Sequence, residues 1–444
     1  MSKKSDIYLR RTIDKTLLEW KQSPRRNPLL LRGARQVGKT ASVRHLSRHF
    51  DNFVEINFEE TPAVRSIFSD ALSPEILIED LSIFYNSEIV PGKTLLFFDE
   101  IQSCIPAIQS LRFFAEKMPE LHVIAAGSLL EFALEEIPSY GVGRILSVFM
   151  YPMSFNEFLL ATDEELLLRK KQESSPEKPL SDLLHQKLLR FIQQFLVLGG
   201  MPAVVLEYVL SGNFQKSLLQ MDILINSYRD DFAKYKDKVP ASRIREIFDA
   251  VVRQTGNKFV YSKAAVDANH RQIKKALNLL IMAGLVTPVI HSNANGLPLG
   301  AEINHKKQKM ILFDTGIFLR ILGLDISKVL LNKDFSTINK GVLAEQFVGL
   351  ELLKYSSPFQ RGQLYYWHRE AKSSNAEVDY LTVIDGQITP IEVKAGKKGR
   401  MQSLYLFLEE KHIDWGIRIS NENFCSYERI RVFPLYAVEN IQQK

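Results

Sequence analysis

The run Gly33-Ala34-Arg35-Gln36-Val37-Gly38-Lys39-Thr40 constrains this chain more than any other stretch. Two glycines around four variable residues, followed by Lys and Thr, make a P-loop pattern. Its surroundings agree: residues 28–31 predict a short buried strand, and 40–50 a helix with Val43, Leu46 and Phe50 at helical spacing. Glycines let backbone N–H groups close around a phosphate, and the helix N-terminus adds a favourable potential for an anion. Gly33, Arg35, Gln36, Val37, Gly38, Lys39, Thr40 and Ala41 are therefore the candidate cradle for a nucleoside triphosphate. In that cradle Lys39 reaches the β- and γ-phosphates, and the Thr40 hydroxyl sits on Mg²⁺.

A second run, Thr94-Leu95-Leu96-Phe97-Phe98, leads straight into Asp99-Glu100. A continuous apolar run suits a parallel strand buried on both faces, and ligands bind at the C-terminal ends of such strands. Asp99 would hold Mg²⁺ through water, and Glu100 would orient and deprotonate the attacking water. A further strand at 122–126 ends in Gly127-Ser128. Ser128 is either a water-orienting sensor or the N-cap of a helix expected at 129–134. Arg144, in the loop Gly141-Val142-Gly143-Arg144, is either an arginine finger or a solvated turn residue. A finger contributes roughly 10³–10⁵-fold to phosphoryl transfer, and one acting in trans requires a homo-oligomer. Around these motifs the pattern predicts a leading helix at 6–21 carrying Arg10 and Arg11, a strand at 53–57 and a helix at 74–86.

The P-loop, Asp99-Glu100-Ile101-Gln102, Ala126-Gly127-Ser128 and Tyr151-Pro152-Met153-Ser154-Phe155-Asn156-Glu157-Phe158 resemble the prokaryotic AAA+-superfamily P-loop ATPases. More narrowly they resemble the group whose C-terminal half is a domain of unknown function. The resemblance spans nearly the whole chain. It implies an ATPase core using ATP and Mg²⁺, with nucleotide roles for Lys39, Thr40, Asp99 and Glu100, extended to Ser128 and Arg144. The fold class expected is α/β: a P-loop NTPase parallel sheet at 1–160, a connector and helical lid at 161–240, a winged-helix domain at 241–330 and a restriction-endonuclease-like core at 331–444.

Residues 161–182 are rich in Glu, Lys, Ser and Pro and read as a mobile connector or a solvated helix end; 183–235 carry helical patterns interrupted at Gly199-Gly200-Met201-Pro202. From 242 onward the pattern predicts a helix at 243–255, a short one from Ser262 and a third at 270–283. In the third, Ile273, Ala276, Leu277, Leu280 and Ile281 form one apolar face, with Arg271, Lys274, Lys275 and Asn278 opposite. Strands at 285–291 and 309–313 would flank a loop carrying Lys306 and Lys307. Helix–turn–helix plus a basic hairpin is a winged-helix pattern, with the third helix entering the major groove of double-stranded DNA. The alternatives are a merely solvated helix face or a protein-interaction module.

The remaining elements are expected in the order helix (339–354), three strands (363–368, 377–383, 388–394), helix (400–410) and strand (415–419). That order resembles the restriction-endonuclease-like core, whose signature implies Glu345, Asp379 and Glu392 as ligands of Mg²⁺ or Mn²⁺, with Lys394 beside the attacking hydroxide or the phosphate. A geometric argument stands beside it. Asp385-Gly386 is a strong two-residue hairpin signal, and that register places Asp379 opposite Glu392, about 4.5–5.5 Å apart at Cβ. Facing carboxylates repel unless a cation or proton lies between them. The same register also allows a plain Glu377–Lys394 ion pair, and a bulge at Pro390 would undo it. Gln402 and Tyr405 follow on the next helix, with Lys397, Lys398 and Arg400 nearby for phosphate contact.

Composition narrows the setting. At 444 residues the chain holds about three domains, taking roughly 150 residues for each. A net charge of +6 permits a nucleic-acid partner without requiring one. Two cysteines, Cys104 and Cys425, exclude a disulfide scaffold and fit a reducing cytoplasm. The N-terminus lacks the apolar core of a signal peptide, and the longest apolar run, 195–206, is broken by Gly and Pro, so no membrane span is expected.

Overall fold

The computed structural model describes residues 7–24, 26–70, 72–128, 130–137, 143–235, 239–265, 269–323, 340–369, 376–394 and 401–442. They fall into two compact units, one within Met1–Pro152, Met282–Gly284 and Ser357–Arg361, the other within Met153–Ile281, Leu285–Ser356 and Gly362–Lys444.

In the first unit the elements run α1 (Ile13–Gln22), β1 (Leu29–Arg32), α2 (Lys39–Ser47), β2 (Asn52–Asn57), α3 (Arg65–Asp70), α4 (Pro74–Tyr85), β3 (Thr94–Asp99), α5 (Ile105–Lys117), β4 (His122–Ala126), α6 (Leu130–Glu136) and β5 (Leu146–Phe149). The strands form a five-stranded sheet in the order β2-β3-β4-β1-β5, and every pairing is parallel. Every residue of β3 and β4 is buried, as strands covered on both faces by helices must be. On one face Leu30, Leu96, Phe98 and Val123 pack with residues of α3, α4, α5 and α6, and Phe58, Phe68, Phe98 and Phe114 meet edge to face. Because β4 lies between β1 and β3, its C-terminal tip falls between the loop after β1 and the acidic pair ending β3. The strand β5 carries only Leu-Ser-Val-Phe, too short to show a period in the sequence.

His122, at the start of β4, is held between the edges of Trp20 and Phe50, with ring centroids at 5.6 and 4.8 Å. Its Nε2 lies 3.2 Å from the Lys21 carbonyl and so carries the proton of the neutral ring. Burial pushes its pKa down to about 4, so the unfolded chain binds the extra proton first as pH falls. The first unit is therefore expected to keep its stability above about pH 6.5 and to lose of the order of 1–3 kcal/mol between there and pH 4. Denaturant melts of wild type and His122→Gln across that range check this; the variant should lack that part of the slope.

The second unit continues with α7 (Phe155–Ala161), α8 (Glu165–Gln172), α9 (Asp182–Leu198), α10 (Pro202–Ser211), α11 (Phe214–Asp231), α12 (Ala241–Gln254), α13 (His270–Met282), β6 (Val286–Ser292), β7 (Ile303–Leu312) and α14 (Thr315–Ile321). It ends with α15 (Lys340–Lys354), β8 (Leu364–His368), β9 (Glu377–Ile384), β10 (Gln387–Val393), α16 (Gln402–Glu410), β11 (Gly416–Ser420), β12 (Cys425–Tyr427) and β13 (Ile430–Pro434). The stretch expected as a mobile connector or a solvated helix end contains the helix α8, whose Leu167, Leu168 and Lys171 are buried. The helical pattern at 183–235 is broken where expected, because Gly199 ends α9 at φ +71° and Pro202 opens α10.

The β6–β7 hairpin is not free-standing. It joins one eight-stranded sheet in the order β12-β13-β11-β10-β9-β8-β6-β7, through parallel pairing of β6 with β8. Lys306 and Lys307 lie within β7 and not in the loop, because the ladder steps from Ile290↔Gln308 to His291↔Asn304 and His305, Lys306 and Lys307 bulge out between those rungs. The Asp385-Gly386 turn has both residues at positive φ, and β9 and β10 pair from Gln387↔Ile384 to Ile391↔Tyr380 without a shift, the register expected. Pro390 causes no bulge. It occupies a rung at which its missing N–H would point away from β9, and pairing with β11 starts only at Ile391.

Candidate functional site

The P-loop turns out of β1 on three residues with positive φ: Gly33 at +142°, Gln36 at +61° and Gly38 at +102°. A Cβ on Gly33 would lie 2.2 Å from the Met150 carbonyl oxygen, so only glycine fits there. Gly38 is the N-cap of α2, which puts Lys39, Thr40 and Ala41 in its first turn. Arg11 pins the loop from behind, donating to the Val37 carbonyl at 2.7 Å and the Tyr151 carbonyl at 2.8 Å. Tyr8 stacks on His45 of α2 and hydrogen-bonds the Ser42 hydroxyl. Neither buttress was assigned a role from sequence, since residues 7–12 precede α1 and their contacts are made across the fold.

Lys39 is buried, and its ammonium donates to the carbonyls of Gly33 and Ala34 at 2.9 and 2.8 Å. Burial lowers its pKa to about 8, with Asp99 and Glu100 opposing. An anion in the loop would restore a full charge to it. Arg35 adds a second positive charge close enough to press on Lys39.

The Thr40 hydroxyl donates to Asp99 Oδ2 at 3.0 Å, joining the two groups expected to serve Mg²⁺. Burial raises the Asp99 pKa to about 6, a carboxylate short of positive charge. A hydroxyl and a carboxylate are hard oxygen donors and fit Mg²⁺; they would hold it, and the ion would offset phosphate charge. Glu100 follows at φ +50°, and its Oε2 accepts from Gln102 Nε2 at 2.6 Å and from the Ser128 hydroxyl at 3.2 Å. Ser128, just past the tip of β4, thus touches the candidate base. Gln102, the last residue of the Asp-Glu-Ile-Gln motif, is a holder of Glu100.

Arg144 is elsewhere. It pairs with Glu116 near the end of α5, two residues before Leu146, which aligns with Leu29 at the start of β1. The P-loop leaves the opposite end of β1, about 10–13 Å along the strand. Arg144 therefore lies at the far end of β1 from its own P-loop.

In the second unit the three carboxylates expected as metal ligands do not converge. Glu345 on α15 accepts from the ammonium of Lys309 at 2.8 Å, Asp379 Oδ2 accepts from the Val393 N–H at 2.8 Å, and Glu392 pairs with Lys394 at 2.5 Å. No group of three or more His, Cys, Asp or Glu able to hold a metal occurs among the described residues. Glu377 pairs with Lys309, not with Lys394. Lys309 was read only as the start of a strand, and it is 2% exposed. Desolvation raises the carboxyls of Glu345, Asp379 and Glu392, while the surrounding acids keep Lys309 protonated. Lys397, Lys398 and Arg400 lie outside the described residues.

On α13, Ile273, Ala276, Leu277, Leu279 and Leu280 are buried, while Arg271, Lys274, Lys275 and Asn278 are exposed. Among the described residues Arg271, Lys274 and Lys275 form no ion pair with an acid. Lys306 is exposed on the β7 bulge, and Lys307 is half-buried. No helix among the described residues is long and apolar enough to cross a membrane.

A family model described as an AAA domain matches residues 25–159. Two models described as domains of unknown function match 189–328 and 340–438. No curated protein matches. Among solved structures, a Walker-type ATPase of Pyrococcus abyssi is 15% identical, covering 71% of this chain and 96% of its own at a TM-score of 0.44. The ORC1 protein of Aeropyrum pernix, solved in complex with DNA, is 11% identical, with coverages of 74% and 93% and a TM-score of 0.30. A signal transduction ATPase with numerous domains from Pyrococcus horikoshii is 13% identical, covering 80% of this chain and 47% of its own at 0.27. The P-loop, the Asp99–Glu100 pair and the AAA match coincide on one α/β domain, and the chain is an ATP-hydrolysing enzyme built on an AAA-type P-loop ATPase domain.

Proposed function

We propose that this ATPase is a nucleotide-gated switch on double-stranded DNA. ATP and Mg²⁺ are held by Gly33 to Ala41 with Asp99, Glu100 activates water, and Ser128 and Gln102 position it. The region 241–330 is a winged helix whose α13 lies in the major groove, with Lys306 and Lys307 on the hairpin contacting phosphate. The region 331–444 is a restriction-endonuclease-like core used as a platform. The observation that carries the DNA reading is the exposed face of Arg271, Lys274 and Lys275, three cations at helical spacing with no acidic partner among the described residues. An interior helix face has no use for such a stripe; a polyanion does. Arg144, turned away from its own P-loop, would act only on the site of a second copy, making the working form a homo-oligomer.

Binding of a fluorescent duplex is the test. Replacing Arg271, Lys274 and Lys275 together by Ala should weaken binding at least about tenfold and flatten the salt dependence by roughly 0.9 per lost phosphate contact. Unchanged affinity and slope would remove DNA from this reading and leave a protein partner. A second reading, metal-dependent cleavage by the C-terminal core, is favoured by the Asp379 charge lying close enough to Glu392 to raise its proton affinity, with Lys394 paired to Glu392. Nicking in Mg²⁺ or Mn²⁺ that is lost in Asp379→Ala would establish it.

A further inference from the structure

The acidic centre of the second unit contains a cation that the expected signature lacks. Lys309 enters from β7, meets Glu345 on α15 and Glu377 on β9, and lies 5.2 Å from the ring centroid of Tyr366 on β8. It also feels the charge of Asp379. A lysine that is 2% exposed is costly to bury unless its charge is matched, and here at least two carboxylates match it. A divalent ion of the Mg²⁺ type needs several oxygens converging at about 2.0–2.2 Å. The oxygens available do not converge: Glu345 is held by Lys309, Asp379 by the β10 backbone and Glu392 by Lys394. Glu392 Oε2 is buried with no hydrogen-bond partner, an acceptor that no protein group satisfies.

We propose that Lys309 is the resident cation of this centre. Its ammonium bridges Glu345 to Glu377, and it locks the hairpin strand β7 to α15 and β9. The centre is then an ion-pair lock in this conformation. Withdrawing Lys309 frees Glu345 and Glu377, which with the unpartnered Oε2 of Glu392 then supply the oxygens of a divalent-cation site. The proposal goes beyond the DNA reading and does not depend on it, because it concerns metal binding alone.

The experiment is Mn²⁺ titration of the full chain by electron paramagnetic resonance, without nucleotide, for wild type, Lys309→Met and Lys309→Gln. Wild type should show no saturable site that depends on Glu392, whereas the variants should gain a single site that Glu345→Gln removes again. Melting provides an independent reading. Wild type and Glu392→Gln should respond alike to replacing EDTA by Mn²⁺, whereas the Lys309 variants should melt lower in EDTA and gain more from Mn²⁺ than wild type does. Wild type binding Mn²⁺ in a way lost with Glu392→Gln would overturn the proposal. So would variants that fold and ignore Mn²⁺. If neither variant folds, the wild-type titration decides by itself. DNA binding through α13 is read separately and can fail without touching this result.

Discussion

Glu100→Gln should leave ATP binding intact and slow hydrolysis by roughly 10²–10⁴-fold, the usual contribution of a positioned general base. The amide keeps the shape of the carboxylate but cannot take a proton from water. In the structure one oxygen of this side chain, Oε2, is held by two donors: Gln102 at 2.6 Å from its own turn and Ser128 at 3.2 Å from the tip of the neighbouring strand. Positive φ at Glu100 fixes the backbone beneath it. Single-turnover hydrolysis beside equilibrium binding of a fluorescent ATP analogue separates the two effects. A rate within a few-fold of wild type, with binding unchanged, would show that another group activates the water. Ser128→Ala and Gln102→Ala should each lower the rate less than Glu100→Gln, since they orient the base and do not replace it.

The second large effect is on stability. Asp314→Ala is expected to destabilise the second unit by about 2–4 kcal/mol. Asp314 is fully buried at the N-cap of α14; Oδ1 accepts the Ile317 N–H at 2.9 Å and Oδ2 the Gly200 N–H at 2.6 Å. Losing the cap costs about 1 kcal/mol, and leaving the buried Gly200 N–H unsatisfied costs about 1–3 kcal/mol more. Gly199 and Gly200 make room for this: a Cβ on Gly199 would meet Asp314 Oδ1 at 2.1 Å. Urea denaturation followed by the intrinsic fluorescence of Trp367 and Trp415, with Trp20 replaced by Phe, would measure the loss. Asp314→Asn keeps an acceptor and should lose less. Equal stability of Asp314→Ala and wild type would mean that the cap carries no load.

Much of the nucleotide site was legible because its chemistry is written over a few consecutive residues. Two glycines, Lys39 and Thr40 need only the strand and helix on either side, and Asp99 and Glu100 need only the end of a buried strand. The β9–β10 register was legible for a similar reason, since a two-residue Asp385-Gly386 turn leaves one way to align the strands. Arg144 was not legible. Its distance from the P-loop depends on β5, a strand too short to show a period, running parallel to β1 and starting at the far edge. Lys309 was not legible either, because its partners Glu345 and Glu377 lie 36 and 68 residues away along the chain and meet it only when β6 and β8 pair.

Local pattern alone therefore determined that this chain binds a nucleoside triphosphate, where its P-loop lies, and how the β9–β10 hairpin aligns. Turn and helix-start rules act within a few residues, and no long-range contact can reverse them cheaply. Only the tertiary structure decided which charges neutralise which. It set Arg144 against Glu116, clamped Glu100 between Gln102 and Ser128, and put a lysine among the acids of the C-terminal sheet. Buried charge must be matched wherever it comes to rest, and its partner is chosen by packing, not by spacing along the chain.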